Sequence, residues 1–286
     1  MRAPGGHVMQ STAWARIREA QGWRATYLDA APHGLALVLW RPLPLGRRMA
    51  YVPRGPIFRG GRDELAAMLE RLAELLRREP ALFMRVDPEV GEDVRDVLVS
   101  NGWRRAPDIQ PVLATLELDL TPTEDALLAG LEKDTRWSVR QAEKRGIAMR
   151  EGTSDADLRA FFDIYSVTGR RAGFITRTWD YYRLVWRTLI DAGHAKLLLA
   201  EDGAAAVAGA MTWHCGDREL YMYGGIPVDP SDERDPMHGP YHFKKGFGGA
   251  EKRFVGAHDL VPRELPYRAF NLLEPMYARA LRLARR

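Results

Sequence analysis

Cysteine and long apolar runs are scarce in this sequence, and each absence narrows what the protein can be. Cys215 is the only cysteine, so an intramolecular disulfide is impossible, which fits a reducing compartment. No stretch approaches the roughly 20 apolar residues that a transmembrane helix needs. The amino terminus has no apolar run of signal-peptide length. We therefore expect a cytoplasmic protein without a transmembrane segment.

Several catalytic motifs are also missing. The sequence has no G-x-S-x-G elbow, no phosphate-binding Walker loop and no dinucleotide-binding G-x-G-x-x-G. His238 and His242 have the spacing of a metal pair, but they flank Gly239 and Pro240 and no third ligand follows. The sequence therefore predicts no metal site and none of these common nucleophile or nucleotide chemistries.

What is present is typical of a globular protein with a mild excess of positive charge. Its 286 residues suffice for two domains, and 46% are hydrophobic while 28% are charged. The net charge of +4 favours anionic partners such as tRNA, nucleotide-linked sugars or a phospholipid surface. High arginine usage can equally reflect genome composition.

One stretch, residues 239–249, concentrates unusual residues. It holds four glycines, three aromatic residues and two of the six lysines in the chain. Glycines allow close backbone approach or positive φ, and the ammonium of Lys244 or Lys245 can be directed at an oxyanion or a phosphate. A surface hairpin has the same composition, so the stretch alone leaves both interpretations open.

In the first half, the periodicity of apolar residues predicts a β-β-α-β-α-β order after a short amphipathic helix, which is an α/β or α+β pattern. A boundary follows at Thr121, Pro122 and Glu124, a capping box with proline at the first helical position. We therefore predict domains over residues 1–120 and 121–286. The predicted elements are helices over residues 10–22, from 63 and over 94–100, and strands over 35–40, 49–52, 82–86 and 112–118.

The second half begins with a predicted helix to Gly146. Four basic residues line one of its faces at spacings of three and four: Lys133, Arg136, Arg140 and Lys144. Such a stripe is typical of a solvated face, and it is also how a helix lies along phosphates. Further on, an aromatic core helix from Trp179, strands over 196–200, 205–215 and 219–224, and a last helix over 272–286 are expected. The small residues Ala208, Gly209 and Ala210 indicate either space for a ligand or a β-bulge.

Five segments, in this order, resemble the Fem family of transferases, which move an amino acid from aminoacyl-tRNA onto a peptidoglycan precursor. The match covers nearly the whole chain, and its order is more specific than any one segment. The segments are Tyr51-Val52-Pro53-Arg54-Gly55-Pro56, Ile109-Gln110-Pro111, the T-x-x-R-x-x-F run at 168–174, Tyr221-Met222-Tyr223-Gly224, and residues 239–249 followed by Phe254-Val255-Gly256-Ala257-His258-Asp259.

The resemblance implies an α+β fold of two acyl-CoA N-acyltransferase (GNAT)-like domains and a role in cell wall cross-bridge formation. It implies aminoacyl-tRNA as co-substrate with no other cofactor, and a UDP-linked or lipid-linked muropeptide as acceptor, with association with the inner membrane surface. Lys244 corresponds to the essential lysine of the family, and Arg171 to the arginine that lines the site for the precursor's diphosphate. Tyr223, Phe243 and Arg54 are the further substrate-binding candidates. If residues 243–245 are extended, Lys245 points away from Lys244.

The sequence departs from the family after Tyr223. Gly225-Ile226-Pro227 follows at once, where the family has a helix and a strand, so the second domain is expected to be shortened by about 30 residues. Two alternatives remain. One is an acyl-CoA-dependent N-acyltransferase, although no Q/R-x-x-G-x-G/A loop for the CoA pyrophosphate is found. The other is a non-catalytic Fem-like binding protein.

Overall fold

A computed structural model of the chain describes residues 6–79, 81–110, 113–172, 176–222 and 243–272, except for the side chains of residues 45, 171 and 172. These residues form an α+β protein, as expected. They divide into two compact units, one formed by Met9–Ile109 with the residues from Val255 onward, the other by Gln110–Phe254 with the residues up to Val8. The predicted helix over 272–286 lies almost entirely outside the described residues.

The elements are numbered in chain order. The helices are α1 (Thr12–Glu19), α2 (Arg62–Arg78), α3 (Arg95–Ser100), α4 (Glu124–Gly130), α5 (Lys133–Lys144), α6 (Asp155–Ala172) and α7 (Trp179–Asp191), with short 3-10 turns at Val8–Gln10, Pro44–Gly46 and Glu92–Val94. The strands are β1 (Arg24–Ala30), β2 (Gly34–Pro42), β3 (Arg48–Val52), β4 (Ile57–Phe58), β5 (Met84–Val86), β6 (Arg104–Arg105), β7 (Ala114–Glu117), β8 (Ala148–Gly152), β9 (Ala195–Asp202), β10 (Ala205–Cys215), β11 (Arg218–Tyr221), β12 (Ala250–Arg253) and β13 (His258–Leu260).

The unit of Met9–Ile109 is a sheet packed on α2. Its described strands have the order β1-β2-β3-β5-β13-β6, with β4 beside β2. The strands predicted over residues 35–40 and 49–52 are confirmed as β2 and β3, which pair antiparallel with Leu39 opposite Tyr51. The predicted helix from Asp63 is confirmed as α2. Its apolar face is buried in the core, and the members of that face are Leu65, Met68, Leu69, Leu72 and Leu76.

Strand β13 enters this sheet from a distant part of the sequence. It pairs with β5 and with β6. The carboxylate of Asp259 on β13 accepts hydrogen bonds from Nε and Nη2 of Arg85 on β5, at 2.6 and 2.7 Å, and from the Tyr267 hydroxyl at 2.8 Å. Because Asp259 is fully buried, this charge-paired network fixes β13 in the sheet.

The strand predicted over residues 112–118 is present as β7, but the prediction placed it at the end of the first half. It pairs instead with β12 in the unit of Gln110–Phe254. The predicted ranges 1–120 and 121–286 also place β13 in the second domain, whereas β13 pairs in the sheet of the first unit. Both differences involve strands joined across more than 100 residues, which local periodicity does not specify. The two ranges stay a prediction.

The predicted helix over residues 121–146 is also different, because it is two helices. Thr123, not Thr121, is the N-cap of α4, and its Oγ1 accepts from the amide of Ala126 at 3.3 Å. The backbone at Leu131 is extended, with ψ of 148°. Nη1 of Arg136 donates to the carbonyl oxygen of Ala129 at 2.7 Å, which satisfies a terminal carbonyl of α4. One member of the predicted basic stripe therefore stabilises the junction between α4 and α5.

In the unit of Gln110–Phe254, the described strands β11-β10-β9-β8 form an antiparallel sheet. The strands predicted over residues 196–200 and 205–215, and the described part of the strand predicted over 219–224, are confirmed as β9, β10 and β11. Cys215 is a buried strand residue. Helix α7 is the aromatic core helix expected from Trp179, with Tyr182 and Trp186 buried. The bulge predicted at the small residues is confirmed by a register shift between Ala206 and Ala208.

The space beside those small residues is filled by the protein itself. A Cβ atom at Gly209 would lie 2.6 Å from Cδ2 of Phe161 on α6. Gly209 therefore allows α6 to pack closely on β10, and no ligand is needed to explain it.

Candidate functional site

The described part of the glycine-rich stretch, residues 243–249, forms a tight turn. Residues 243–245 are helical, and the amides of Phe247 and Gly248 donate to the carbonyl oxygens of Lys244 and Lys245 at 3.1 and 2.9 Å. An extended backbone over these residues was the premise for Lys245 pointing away from Lys244, and that premise is wrong. In a helical turn successive side chains diverge by about 100°. Lys244 is accordingly half-buried, whereas Lys245 is exposed.

The glycines of this turn fit against side-chain and backbone atoms of neighbouring elements. A Cβ atom at Gly246 would overlap Oγ1 of Thr135, and one at Gly249 would lie 3.0 Å from the carbonyl oxygen of Glu117. Gly248 has φ of +78°, in the region that favours glycine. The turn is thus held against α5 and β7, and the glycine density serves the position of Lys244.

The ammonium group of Lys244 lies over an aromatic ring. Its Nζ is 5.3 Å from the ring centroid of Tyr221, at the end of β11, which is within cation–π distance. Within the described residues, no carboxylate lies at ion-pair distance from Nζ. Burial lowers the pKa of Lys244 to about 8, because the charged form loses hydration.

Tyr221 is in turn an electrostatic neighbour of Tyr165 on α6. Burial raises the pKa of Tyr221. The pKa of Tyr165 on α6 is raised first by burial and then by Tyr182, whose ring centroid is 5.6 Å away in an edge-to-face arrangement. These hydroxyls remain protonated at neutral pH and can act as hydrogen-bond donors.

The arrangement suits the stabilisation of developing negative charge. A cation in partly dehydrated surroundings interacts with an oxyanion more strongly than it would in water. A pKa near 8 also leaves most of the lysine protonated at neutral pH. The site can therefore assist a reaction in which a carbonyl oxygen gains charge.

Arg54 lies in the unit of Met9–Ile109, in a strained turn. Its φ is +50°, and its amide donates to Oδ1 of Asp87 at 2.6 Å, while the Tyr51 hydroxyl donates to Oδ2 at 2.8 Å. Its guanidinium is largely buried and pairs with Glu89 at 3.8 Å. Burial raises the pKa of Asp87 to about 6, against the lowering effect of the Arg54 charge. Arg54 thus belongs to a buried polar network, and a role in binding substrate stays a prediction.

The other predicted site residues have different positions. Phe243 is next to Lys244, is 57% exposed, and makes an edge-to-face contact with Phe247 at 5.3 Å. Arg171 is in the last turn of α6, but its side chain lies outside the described residues. Tyr223 lies outside them too, as do His238, His242 and the predicted shortening after Tyr223. The structure therefore groups Lys244 with Phe243, and the roles of all five residues stay predictions.

Sequence reasoning did not assign roles to Tyr221, Tyr165 or Asp87. Tyr221 was part of a recognised motif, and its alternation with Tyr223 along a strand could have indicated an aromatic wall. Asp87 follows the buried strand β5 directly, which is a common position for a polar group that receives backbone amides. Tyr165 shows no such signal, because it is one of several aromatic residues on the inner face of α6.

The chain was compared with known proteins. The FemAB family model matches residues 1–99 and 106–205. The lipid II:glycine glycyltransferase of Staphylococcus aureus is 29% identical over 216 residues, which cover 69% of this chain and 51% of the relative. The same enzyme from Staphylococcus aureus strain MRSA252 matches with the same identity and the same coverage. The chain therefore spans about half the length of the curated relatives it matches.

Among solved structures, a crystal structure of FemX superposes with a TM-score of 0.80 at 20% identity, covering 95% of each chain. This likeness confirms the fold that the resemblance implies. In the described part of the chain, no helix combines the length and apolar character needed to cross a membrane. Because the family model matches more than half of the sequence, this chain belongs to the FemAB family.

Proposed function

We propose that this protein is an aminoacyltransferase that moves an amino acid from aminoacyl-tRNA to an amine on the stem peptide of a peptidoglycan precursor. A lipid-linked acceptor is favoured over a UDP-linked one, because its relative is named for action on lipid II. The observation that carries the proposal is Lys244, a half-buried cation beside Tyr221 in a member of the FemAB family. The reaction takes place in the cytoplasm and uses aminoacyl-tRNA as co-substrate with no other cofactor.

The chemistry follows from the two reacting groups. The neutral acceptor amine attacks the ester carbonyl carbon of aminoacyl-tRNA and forms a C–N bond, and the carbonyl oxygen takes the electron pair. The Lys244 ammonium stabilises this oxyanion. The attacking nitrogen, which carries a positive charge in the intermediate, loses a proton. The intermediate then expels the ribose oxygen as the C–O bond breaks, and this oxygen takes up a proton to form the hydroxyl of the free tRNA. The products are an amide and free tRNA.

Binding of the acceptor is assigned to other residues. Arg171 would hold the precursor's diphosphate, because guanidinium binds phosphate oxygens bidentately and stays charged. Phe243, exposed beside Lys244, and Tyr223 would contact the acyl or peptide part of the substrates. Arg54, whose side chain keeps 9% exposure, is the remaining candidate.

One assay tests the proposal. The purified chain is incubated with a pool of charged tRNAs and either a lipid-linked or a UDP-linked muropeptide, and the acceptor is analysed by mass spectrometry. We expect an added amino-acid mass that disappears after RNase treatment. Product formed from acetyl-CoA without tRNA would instead favour the acyl-CoA-dependent alternative. Binding of precursor without turnover under any donor would favour the non-catalytic one.

A further inference from the structure

Helix α5 presents a basic face that contains an exposed tryptophan. Successive helical residues rotate by about 100°, so Lys133, Arg140 and Lys144 fall within about 40° of one another, and Trp137 lies directly beside them. All four side chains are exposed, and Trp137 is 61% exposed. We call these four residues the basic face.

The opposite side of α5 fixes the direction of this face. Thr135 and Ala142 lie about half a turn away from the basic face, and both are partly buried. Thr135 is packed so closely on the Lys244 turn that a Cβ atom at Gly246 would overlap it. The amide of Glu132 also donates to the carbonyl oxygen of Gly246 at 2.9 Å. The basic face is therefore held outward by contacts on the other side of the helix.

The charges of the basic face are not neutralised locally. Among the described residues, no carboxylate forms an ion pair with Lys133, Arg140 or Lys144. The acidic residues of α5, Asp134 and Glu143, lie about 80° or more from the centre of the face, on its two flanks. Among the eight tryptophans, all of which lie in the described residues, Trp137 is the one with an exposed side chain, although tryptophan is highly buried on average.

We propose that the basic face docks α5 on a membrane surface that contains anionic phospholipids. Lysine and arginine near such a surface each gain about 1 kcal/mol from its negative potential. The indole ring of Trp137 is suited to the headgroup level, where its apolar body and its N–H group are both accommodated. A helix with cations and an aromatic ring on one side can lie flat in that interface.

RNA is the other polyanion that a basic helix could meet, and the shape of the face favours the membrane. A duplex keeps its bases stacked, so it offers no free base to Trp137, and single strands are bound in grooves. The basic face is the convex side of one helix, which fits a flat surface. If the proposed function holds, docking would bring the Lys244 turn, which contacts the same helix, near a lipid-linked acceptor.

Vesicle co-sedimentation of the full chain tests the proposal. The probes are vesicles of phosphatidylcholine with phosphatidylglycerol and vesicles of phosphatidylcholine alone. We expect the wild type to bind the anionic vesicles only. The partition coefficient of the protein onto these vesicles should fall by about a hundredfold in the triple variant Lys133→Gln/Arg140→Gln/Lys144→Gln. Trp137→Ser should weaken binding with the charges intact. No tRNA or acceptor is present, so this assay can fail or succeed independently of the transferase assay.

A matched control removes the same charge from another exposed helical surface. The variant Arg71→Gln/Arg77→Gln/Arg78→Gln changes three exposed residues of α2 and should bind anionic vesicles like the wild type. Equal losses in the two triple variants would overturn the proposal, since binding would then follow net charge alone. It would also be overturned if the wild type did not bind anionic vesicles. A third contrary result would be a basic-face variant that no longer binds tRNA on filters but still binds anionic vesicles like the wild type.

Discussion

The amide of Glu132 donates a hydrogen bond to the carbonyl oxygen of Gly246, 114 residues later in the chain, at 2.9 Å. This bond forms where the chain leaves α4 and enters α5, because an N-cap residue at the start of α5 has an amide free of helical partners. The sequence analysis did not predict a break between α4 and α5. The hydrogen bond formed at this break holds the Lys244 turn in place. Changes at this contact should affect the position of Lys244 without altering its chemistry.

Gly246→Ala should destabilise the chain. The new Cβ atom would overlap Oγ1 of Thr135, and overpacking of this kind costs about 1–3 kcal/mol. Urea unfolding measures the change. Gly130→Ala is the control, since a Cβ atom there meets nothing within 4 Å and alanine favours the helix. Adding Thr135→Ala to Gly246→Ala should recover part of the loss, and no recovery would show that the overlap is not the cause.

Asp259→Asn should strongly destabilise the unit of Met9–Ile109. The change leaves the largely buried guanidinium of Arg85 without its bidentate carboxylate, and breaking such a pair costs about 3–5 kcal/mol. Thermal or urea unfolding checks this. Asp96→Asn, which removes the exposed partner of Arg62, should change the unfolding free energy little. Similar effects of the two changes would mean that β13 is not held by this pair.

Asp87 should make stability fall as pH rises. Its folded pKa is about 6 and its unfolded value is 3.8, so the folded state binds the proton more tightly between these values. The unfolding free energy of the wild type relative to Asp87→Asn should therefore decrease by up to about 3 kcal/mol between about pH 4 and pH 7. Urea unfolding at both pH values tests it. A difference that stays constant, or increases, would contradict the raised pKa.

Local patterns were sufficient for much of the fold. The amphipathic period of α2 and the alternation in β9 and β10 depend on neighbours in sequence, so these elements were predicted correctly. The pairing of strand β7 was not predicted, and neither was strand β13, because their partners lie 133 residues or more away in sequence, at Ala250 for Glu117 and at Arg85 for Asp259. No local signal specifies such pairing.

The candidate site was predictable only in part, for a similar reason. The Lys244 position followed from a family resemblance, and the composition of the stretch was only compatible with it. The contact with Tyr221 requires that β11 and the Lys244 turn meet, which the intervening 22 residues do not indicate. The glycines were noticed as permissive, but their contacts with Thr135 and Glu117 show that they accommodate backbone and side chains of the same unit.

Lys244→Met should reduce turnover by at least about a hundredfold in the transferase assay, because loss of one oxyanion donor costs about 3 kcal/mol. Folding should be retained. Removing this half-buried charge should even raise the unfolding free energy at neutral pH, since the lowered pKa means that the charged form is disfavoured in the fold. Lys245→Met, which changes an exposed neighbour, should keep most of the activity. Equal losses in the two variants would mean that the turn is a shared basic patch.

The pH dependence separates two roles for Lys244. A lysine-type acceptor amine has a pKa of about 10.4, so the fraction that can attack rises tenfold with each pH unit below it. If Lys244 acts as an ammonium, its own loss of the proton above about pH 8 cancels this rise, and kcat/KM should level off there. Lys244→Arg, whose guanidinium stays charged, should be slow but should continue to rise beyond that point. If Lys244 were instead a general base, wild-type kcat/KM would rise with a slope of about two below pH 8 and continue upward above it. A base that took the proton from the acceptor ammonium would give the same wild-type profile as oxyanion stabilisation. The Lys244→Arg variant separates these two cases, because a guanidinium cannot act as a base and should keep a measurable, rising rate only if Lys244 stabilises the oxyanion.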